Sequence, residues 1–279
     1  LDCPRSSRIG FRRSEFPTKP DGARGILSRA PAACDAAADG ASKANVRSIT
    51  FCVKRTAMTY YLPKHLSFCD CGEQMVLLDL SRDRYFQLPS PLGKTLRALM
   101  EDRPAAPEGI ASLKKRGIIV DERADGHPIA PTAATRPVRS IIEDGAPISQ
   151  SEWRVAPEVA WRLVRASMLL RTKPFSIVLE EVTGAKEKSS LKHRRLDIQS
   201  IERLAMTFHR AQRLIPIKPV CLPESLALLG FLFSRGAQAD LVIAVSSPPF
   251  QAHCWVQMHE TLLNNPLDHA LSFAPKRVV

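Results

Sequence analysis

Short apolar runs with a period near two open the patterned part of the chain, at residues 59–62, 74–80 and 84–88. The second reads Gln74-Met-Val-Leu-Leu-Asp-Leu80, and Ser81-Arg82-Asp83 supplies a polar turn into Tyr85 and Phe86. A helical pattern follows over 90–100, with Ser90 as N-cap, Pro91 at the first helical position, and Leu92, Leu96 and Leu99 among its apolar positions. A second helical stretch, 107–115, leads into Gly117-Ile-Ile-Val120. A small antiparallel sheet followed by helices predicts an α+β module of winged-helix-like type over 58–123.

Residues 124–150 carry Pro128, Pro131, Pro137 and Pro147 and read as a linker. A second region, 151–279, begins with an amphipathic helix over about 157–170. The run 175–182 fits a strand or a helix. Another helix, 198–214, places Ile201, Leu204, Ala205, Phe208 and Ala211 on one face. Residues 222–233 are apolar nearly all round, so that helix is expected to be central and buried, with Pro223 and Glu224 in its first turn. Strands are expected at 241–245, 250–258 and 261–263. In the middle one, Gln251, His253, Trp255 and Gln257 share one face, and Ala252, Cys254 and Val256 the other.

Charge changes this picture at one end only. The 279 residues hold 40 Lys+Arg and 28 Asp+Glu, a formal net charge of +12. Residues 1–57 hold 11 Lys/Arg and 5 Asp/Glu, half of that excess, with four Pro and an Ala-rich patch from Ala30 to Ala44. That stretch shows no regular period, the first Met is Met58, and patterning begins just after it. Residues 1–57 are therefore expected to be a disordered or spurious extension, an Arg-rich presequence or nucleic-acid arm being the alternative. The remaining excess is too diffuse to name nucleic acid as a partner. The longest nearly apolar run, Leu226 to Phe233, is well short of the ~20 residues of a membrane helix, and no secretory signal is visible. No membrane insertion and a cytoplasmic location are the expectation.

Seven cysteines, an odd number without a signal peptide, argue against a disulfide framework. Cys69-Asp70-Cys71 lacks zinc-knuckle spacing, and His253 and His259 match no ligand pattern, so no metal site is expected. Cys221 and Cys254 are the thiols worth chemistry. Cys221 opens the apolar helix, where N–H groups and the helix dipole favour a thiolate and offer part of an oxyanion hole. A nucleophilic thiol needs a base, and the base an orienting acceptor. A His on the following strand and an Asn or Asp on the next meet that order.

The segments Cys221-Leu-Pro-Glu-Ser-Leu-Ala-Leu228, Ala239-Asp-Leu-Val-Ile-Ala-Val245, Pro249-Phe-Gln-Ala-His253-Cys-Trp-Val256 and Leu263-Asn-Asn265 resemble the lasso peptide B proteins. Those are transglutaminase-like cysteine proteases that remove the leader from a lasso peptide precursor. Val76-Leu-Leu-Asp-Leu-Ser-Arg-Asp-Arg-Tyr85-Phe86 resembles their PqqD-like leader-recognition domain. The resemblance covers 58–123 and 151–279. It implies a C-terminal transglutaminase- or papain-like protease domain, with Cys221 as nucleophile and His253 as base. The family's usual Asp falls on Asn265, with Asp268 the alternative orienter. No Gln stands at papain-like spacing before Cys221, and Gln212 is a remote candidate for the oxyanion donor. The resemblance further implies a leader peptide pairing with the edge of 84–88 near Tyr85 and Phe86. The implied partner is an asparagine-synthetase-like lasso cyclase that uses ATP, since this chain has no P-loop and no G-x-G-x-x-G of its own.

Two other readings stand beside the leader peptidase. One is a non-catalytic leader-binding adaptor for the cyclase, suggested by Asn265. The other is a winged-helix DNA binder, poorly served by a helix whose only cluster is Lys114-Lys115-Arg116. Amide formation instead of hydrolysis also stays open.

Overall fold

The computed structural model describes residues 60–72, 74–130, 132, 134–143, 150–192, 196–247 and 249–279. The expectation for residues 1–57 lies outside them. Met75–Asp79 and Arg84–Gln87 form strands within the β-prone runs 74–80 and 84–88, and with Leu66–Asp70 they make a three-stranded antiparallel sheet. We label these β3, β4 and β2. The first apolar run, β1 (Tyr61–Pro63), does not join that sheet. It pairs instead with β5 (Gly126–Pro128), from the stretch read as a linker. A Cβ on Gly126 would stand 2.7 Å from the Leu62 carbonyl oxygen, so the close approach of these strands needs glycine there.

Helices α1 (Ser90–Met100) and α2 (Pro107–Lys115) begin at their predicted starts, each with proline in the first turn. Ser90 is the first helical residue and Pro89 the N-cap, one position earlier than the sequence suggests. Leu92, Leu96 and Leu113 pack with Phe68, Met75 and Leu77 to form the core between helices and sheet. Arg97 ties α1 to β2 through two bonds to Asp70, at 2.6 and 2.7 Å.

The second sheet has five strands in the order β10-β7-β8-β9-β6. They are β6 (Arg139–Ser140), β7 (Asp240–Ser246), β8 (Gln251–Met258), β9 (Thr261–Leu262) and β10 (Ala274–Val278). All neighbours are antiparallel except β6 and β9. Strand β6 also comes from the predicted linker, so that segment contributes a strand to each side of the molecule. Strand β10 has no counterpart in the sequence reading. Pro275 breaks its alternation, and the register shifts between Pro275 and Arg277.

Helices α3 (Gln150–Thr172), α4 (Phe175–Lys192), α5 (Ile198–Gln212), α6 (Cys221–Phe233) and α7 (Leu267–Leu271) complete the described elements. The run left open at 175–182 is the start of α4. The α6 residues from Ser225 to Phe233 are buried except Gly230, as an all-round apolar helix requires. One face of the large sheet packs on α6 through Leu241, Ile243, Cys254 and Val256. Val242, Ala244 and Trp255 face the opposite way, towards Ala270 and Phe273.

The two sheets share a core. Cys69, Val76, Leu78 and Tyr85 from the small sheet belong to the same apolar cluster as α6 and β7. Tyr85 and Phe250 rings lie 5.4 Å apart, and Ser247 Oγ donates to Gln74 Oε1 at 2.7 Å. Among the described residues no helix is long and apolar enough to cross a membrane.

Candidate active site

Helix α6 starts at Cys221 after an extended Val220, whose hydrocarbon side chain caps nothing. The first-turn N–H groups therefore meet the region of the thiol without competition from a capping oxygen. Strand β8 brings His253 and Cys254 to this end of α6. His253 and Cys254 are the neighbours that act most on the Cys221 thiol, the Cys254 backbone adding to their effect.

These contacts hold the Cys221 thiol far below its ordinary value. The Cys254 bond contributes most, burial opposes it, and the His253 bond and charge add to the lowering. Cys254 moves the opposite way, because the neighbouring Cys221 thiolate and full burial both disfavour a second negative sulfur. One sulfur gives up its proton and the other keeps it.

The His253 Nε2 donates to Asn265 Oδ1 at 2.9 Å, which leaves Nδ1 for Cys221. Asn265 is itself fixed. Its Nδ2 donates to the Pro266 carbonyl at 3.2 Å, and its own carbonyl accepts from Ser140 Oγ at 2.8 Å. Burial works against a charged His253, but the bonds to Cys221 and Asn265 and the thiolate charge outweigh it, so its pKa rises. A raised imidazole beside a lowered thiol is a thiolate–imidazolium pair.

Asn265 Oδ1 carries a second imidazole. His269 Nδ1 donates to it at 3.2 Å, and the two rings lie 4.6 Å apart. Burial and the charge on His253 push the His269 imidazole down, against the charge on Cys221. Asp268 sits on the exposed side of α7, and it is Asn265 that meets His253.

Glu224, one turn into α6, lies beside Cys221 and was not singled out as a site residue by the sequence. Burial pushes its carboxyl up to about 7, against a bond from Gln212, and the Cys221 charge adds to the rise. Gln212, the remote oxyanion candidate, is thus brought to the site as the partner of Glu224. His209 Nδ1 lies 3.9 Å from Glu224, while its Nε2 donates to the Leu263 carbonyl at 2.8 Å. Spacing offered a signal for each missed residue: Glu224 is one turn from Cys221, and His269 one turn from Asn265.

Residues 160–278 match the model of the transglutaminase-like superfamily. This transglutaminase-like domain contains Cys221, Glu224, His253, Cys254, Asn265 and His269 within mixed helix and sheet. No curated protein and no solved structure matches the chain. Tyr85 and Phe86 lie before the matched stretch. Tyr85 is 3% exposed and feels the charges of Cys254 and Cys221. Phe86, half-buried, packs towards the α1–α2 core and carries Arg84 over its ring at 5.7 Å. Among the described residues no three His, Cys, Asp or Glu side chains group as metal ligands.

Proposed function

We propose that this chain is a cytoplasmic cysteine peptidase that removes the leader from a lasso peptide precursor and hands the core to an asparagine-synthetase-like cyclase. The observation that carries the reading is the connected series Cys221, His253, Asn265, with the thiol lowered and the imidazole raised. The Cys221 thiolate attacks the carbonyl at the leader–core junction, and His253 gives its proton to the departing amine of the core. Water, deprotonated by His253, then hydrolyses the thioester and frees the leader acid and the thiol. The freed core amine is the group the cyclase joins to a side-chain carboxylate, with ATP supplied at the cyclase.

The winged-helix-like, PqqD-like module over 58–123 supplies leader recognition in this reading. Strand β4 is the last strand of its sheet in the order β2-β3-β4, and the leader is taken to add alongside it, with Phe86 beside it. The adaptor reading is favoured by one observation: the imidazole is oriented by a neutral amide that a second histidine shares. Purified full-length chain incubated with the precursor peptide separates the two. Wild type cleaves the leader, while Cys221→Ala binds it unchanged and leaves it whole. Retained cleavage in Cys221→Ala overturns the peptidase, and a wild type that binds without cleaving supports the adaptor.

A further inference from the structure

The acyl-transfer reading leaves one thiol at the site without a task. Cys254 is on the α6-facing side of β8, 5% exposed, with its Sγ 3.8 Å from Ser225 Oγ. Ser225 is one turn after Cys221 on α6, so the strand sulfur lies against the same helical edge as the nucleophile. Each of the two thiols acts on the protonation of the other, and both cysteines are free. Cys221 is half-buried and Cys254 buried, so a small oxidant meets Cys221 first.

We propose that Cys221 and Cys254 form a hydroperoxide-reactive dithiol that closes to a Cys221–Cys254 disulfide. The Cys221 thiolate attacks the outer oxygen of the hydroperoxide and the O–O bond breaks. Cys221 becomes a sulfenic acid, and the departing alkoxide or hydroxide leaves as alcohol or water with a proton from the His253 imidazolium. The Cys254 sulfur then attacks the sulfenic sulfur. The S–O bond breaks, the Cys254 proton ends on the leaving oxygen, and water departs. Two thiols are oxidised by two electrons and one peroxide is reduced. The high pKa of Cys254 slows the second step but does not forbid it, because the sulfenic acid no longer holds the thiolate charge that raised it. The disulfide occupies the nucleophile and is reopened by a dithiol.

A second close pair provides the internal comparison. Cys69 and Cys71 sulfurs stand 3.8 Å apart at the end of β2. The test treats full-length wild type with stoichiometric hydrogen peroxide, blocks remaining thiols with iodoacetamide after unfolding, and maps the digest without reduction. The expected product is a peptide linking Cys221 to Cys254, lost on dithiothreitol treatment, while Cys69 and Cys71 are recovered alkylated. In Cys254→Ser a second equivalent of peroxide carries Cys221 on to the sulfinic acid, which dithiothreitol does not restore. Wild type that yields sulfinic acid at Cys221 with Cys254 recovered as a thiol overturns the proposal. So does an unmodified Cys221, or a link that uses other cysteines. If Cys254→Ser does not fold, the wild-type map still decides. The outcome is independent of leader cleavage: a chain that cleaves without linking loses this proposal alone, and one that links without cleaving loses the peptidase alone.

Discussion

Asn265 Oδ1 accepts from His253 at 2.9 Å and from His269 at 3.2 Å, so one neutral amide oxygen orients two imidazoles. In the proposed peptidase, Cys221 at the start of α6 is the nucleophile, His253 on β8 the base, and Asn265 just after β9 the acceptor that orients the ring. An amide oxygen carries a dipole where a carboxylate would carry a charge, and the imidazolium is held less strongly for it.

The His253 titration reports that difference. Removing the acceptor in Asn265→Ala takes away a bond that raises the imidazole, so its pKa falls. Asn265→Asp places a full negative charge at the same distance, and the pKa rises above that of wild type. Imidazole NMR titration of the three proteins reads the order directly. An unchanged His253 in Asn265→Ala would show that the bond has no influence.

Cys221 is the thiol that alkylates first. At about pH 6–7 an ordinary buried thiol is protonated, while a thiolate held by its neighbours reacts. Limited iodoacetamide treatment followed by peptide mapping places the label on Cys221 ahead of Cys71 and Cys254. His253→Ala removes both a bond and a positive charge that lower the thiol, and slows the labelling by about tenfold or more in that range. Equal rates for the three sulfurs would remove the basis for a nucleophile here.

Glu224 gives the fold a pH dependence of known sign. Its folded pKa of about 7 lies above the ordinary 4.5, so the native state holds the proton more tightly. The stability it provides is fully present below pH 4.5 and is lost as the pH rises through about 7. Glu224→Gln keeps a hydrogen-bonding group for Gln212 and cannot ionise. Urea midpoints measured at low and high pH should therefore fall less in the variant, by on the order of 2–3 kcal/mol in free energy. Parallel wild-type and variant curves would place the titration elsewhere.

Asp83 joins the two sheets' territories through one backbone group. It sits at φ 48 in the β3–β4 turn, and its two carboxylate oxygens accept from the Phe175 N–H at 3.2 and 3.1 Å. That N–H opens α4 and has no partner within its own helix. Asp83→Ala removes the acceptor and puts a less tolerant residue at positive φ, costing about 1–2 kcal/mol. Asp83→Asn retains both an acceptor and tolerance of that φ, and recovers most of the loss. Denaturant midpoints compare them.

Local pattern was enough for the elements whose burial comes from one face or from all faces. The α2 bounds follow from Pro107 and the basic last turn, and the all-round apolar α6 was legible as a buried helix with Cys221 at its start. Alternation in β8 put His253 and Cys254 on opposite faces, which is how they stand. Residues 66–70 and 274–278 were harder to read. Leu66-Ser-Phe-Cys-Asp70 is buried on both faces, which erases alternation, and Pro275 interrupts β10. Strands β5 and β6 are two or three residues long and are defined by their partners alone.

The adjacent amides Asn264 and Asn265 mark the boundary between the two sources of information. Sequence placed both after a strand and offered Asn265 or Asp268 to the histidine. Only the tertiary structure gave Asn264 to the interior, where its Oδ1 accepts from the Val256 N–H at 2.6 Å and its Nδ2 donates to Ser225 Oγ at 2.9 Å. The same packing aimed the equally buried Asn265 at His253 and left Asp268 on the exposed side of α7. Residue types, their order along the chain and the family resemblance offered a candidate nucleophile, a candidate base and the kind of helix that carries the thiol, because those are read from segments close in sequence. Which acceptor meets the base, which buried acid lies beside the thiol and which second sulfur touches it depend on side chains from α5, α6, β8 and α7 converging in space. No period in the sequence encodes that convergence.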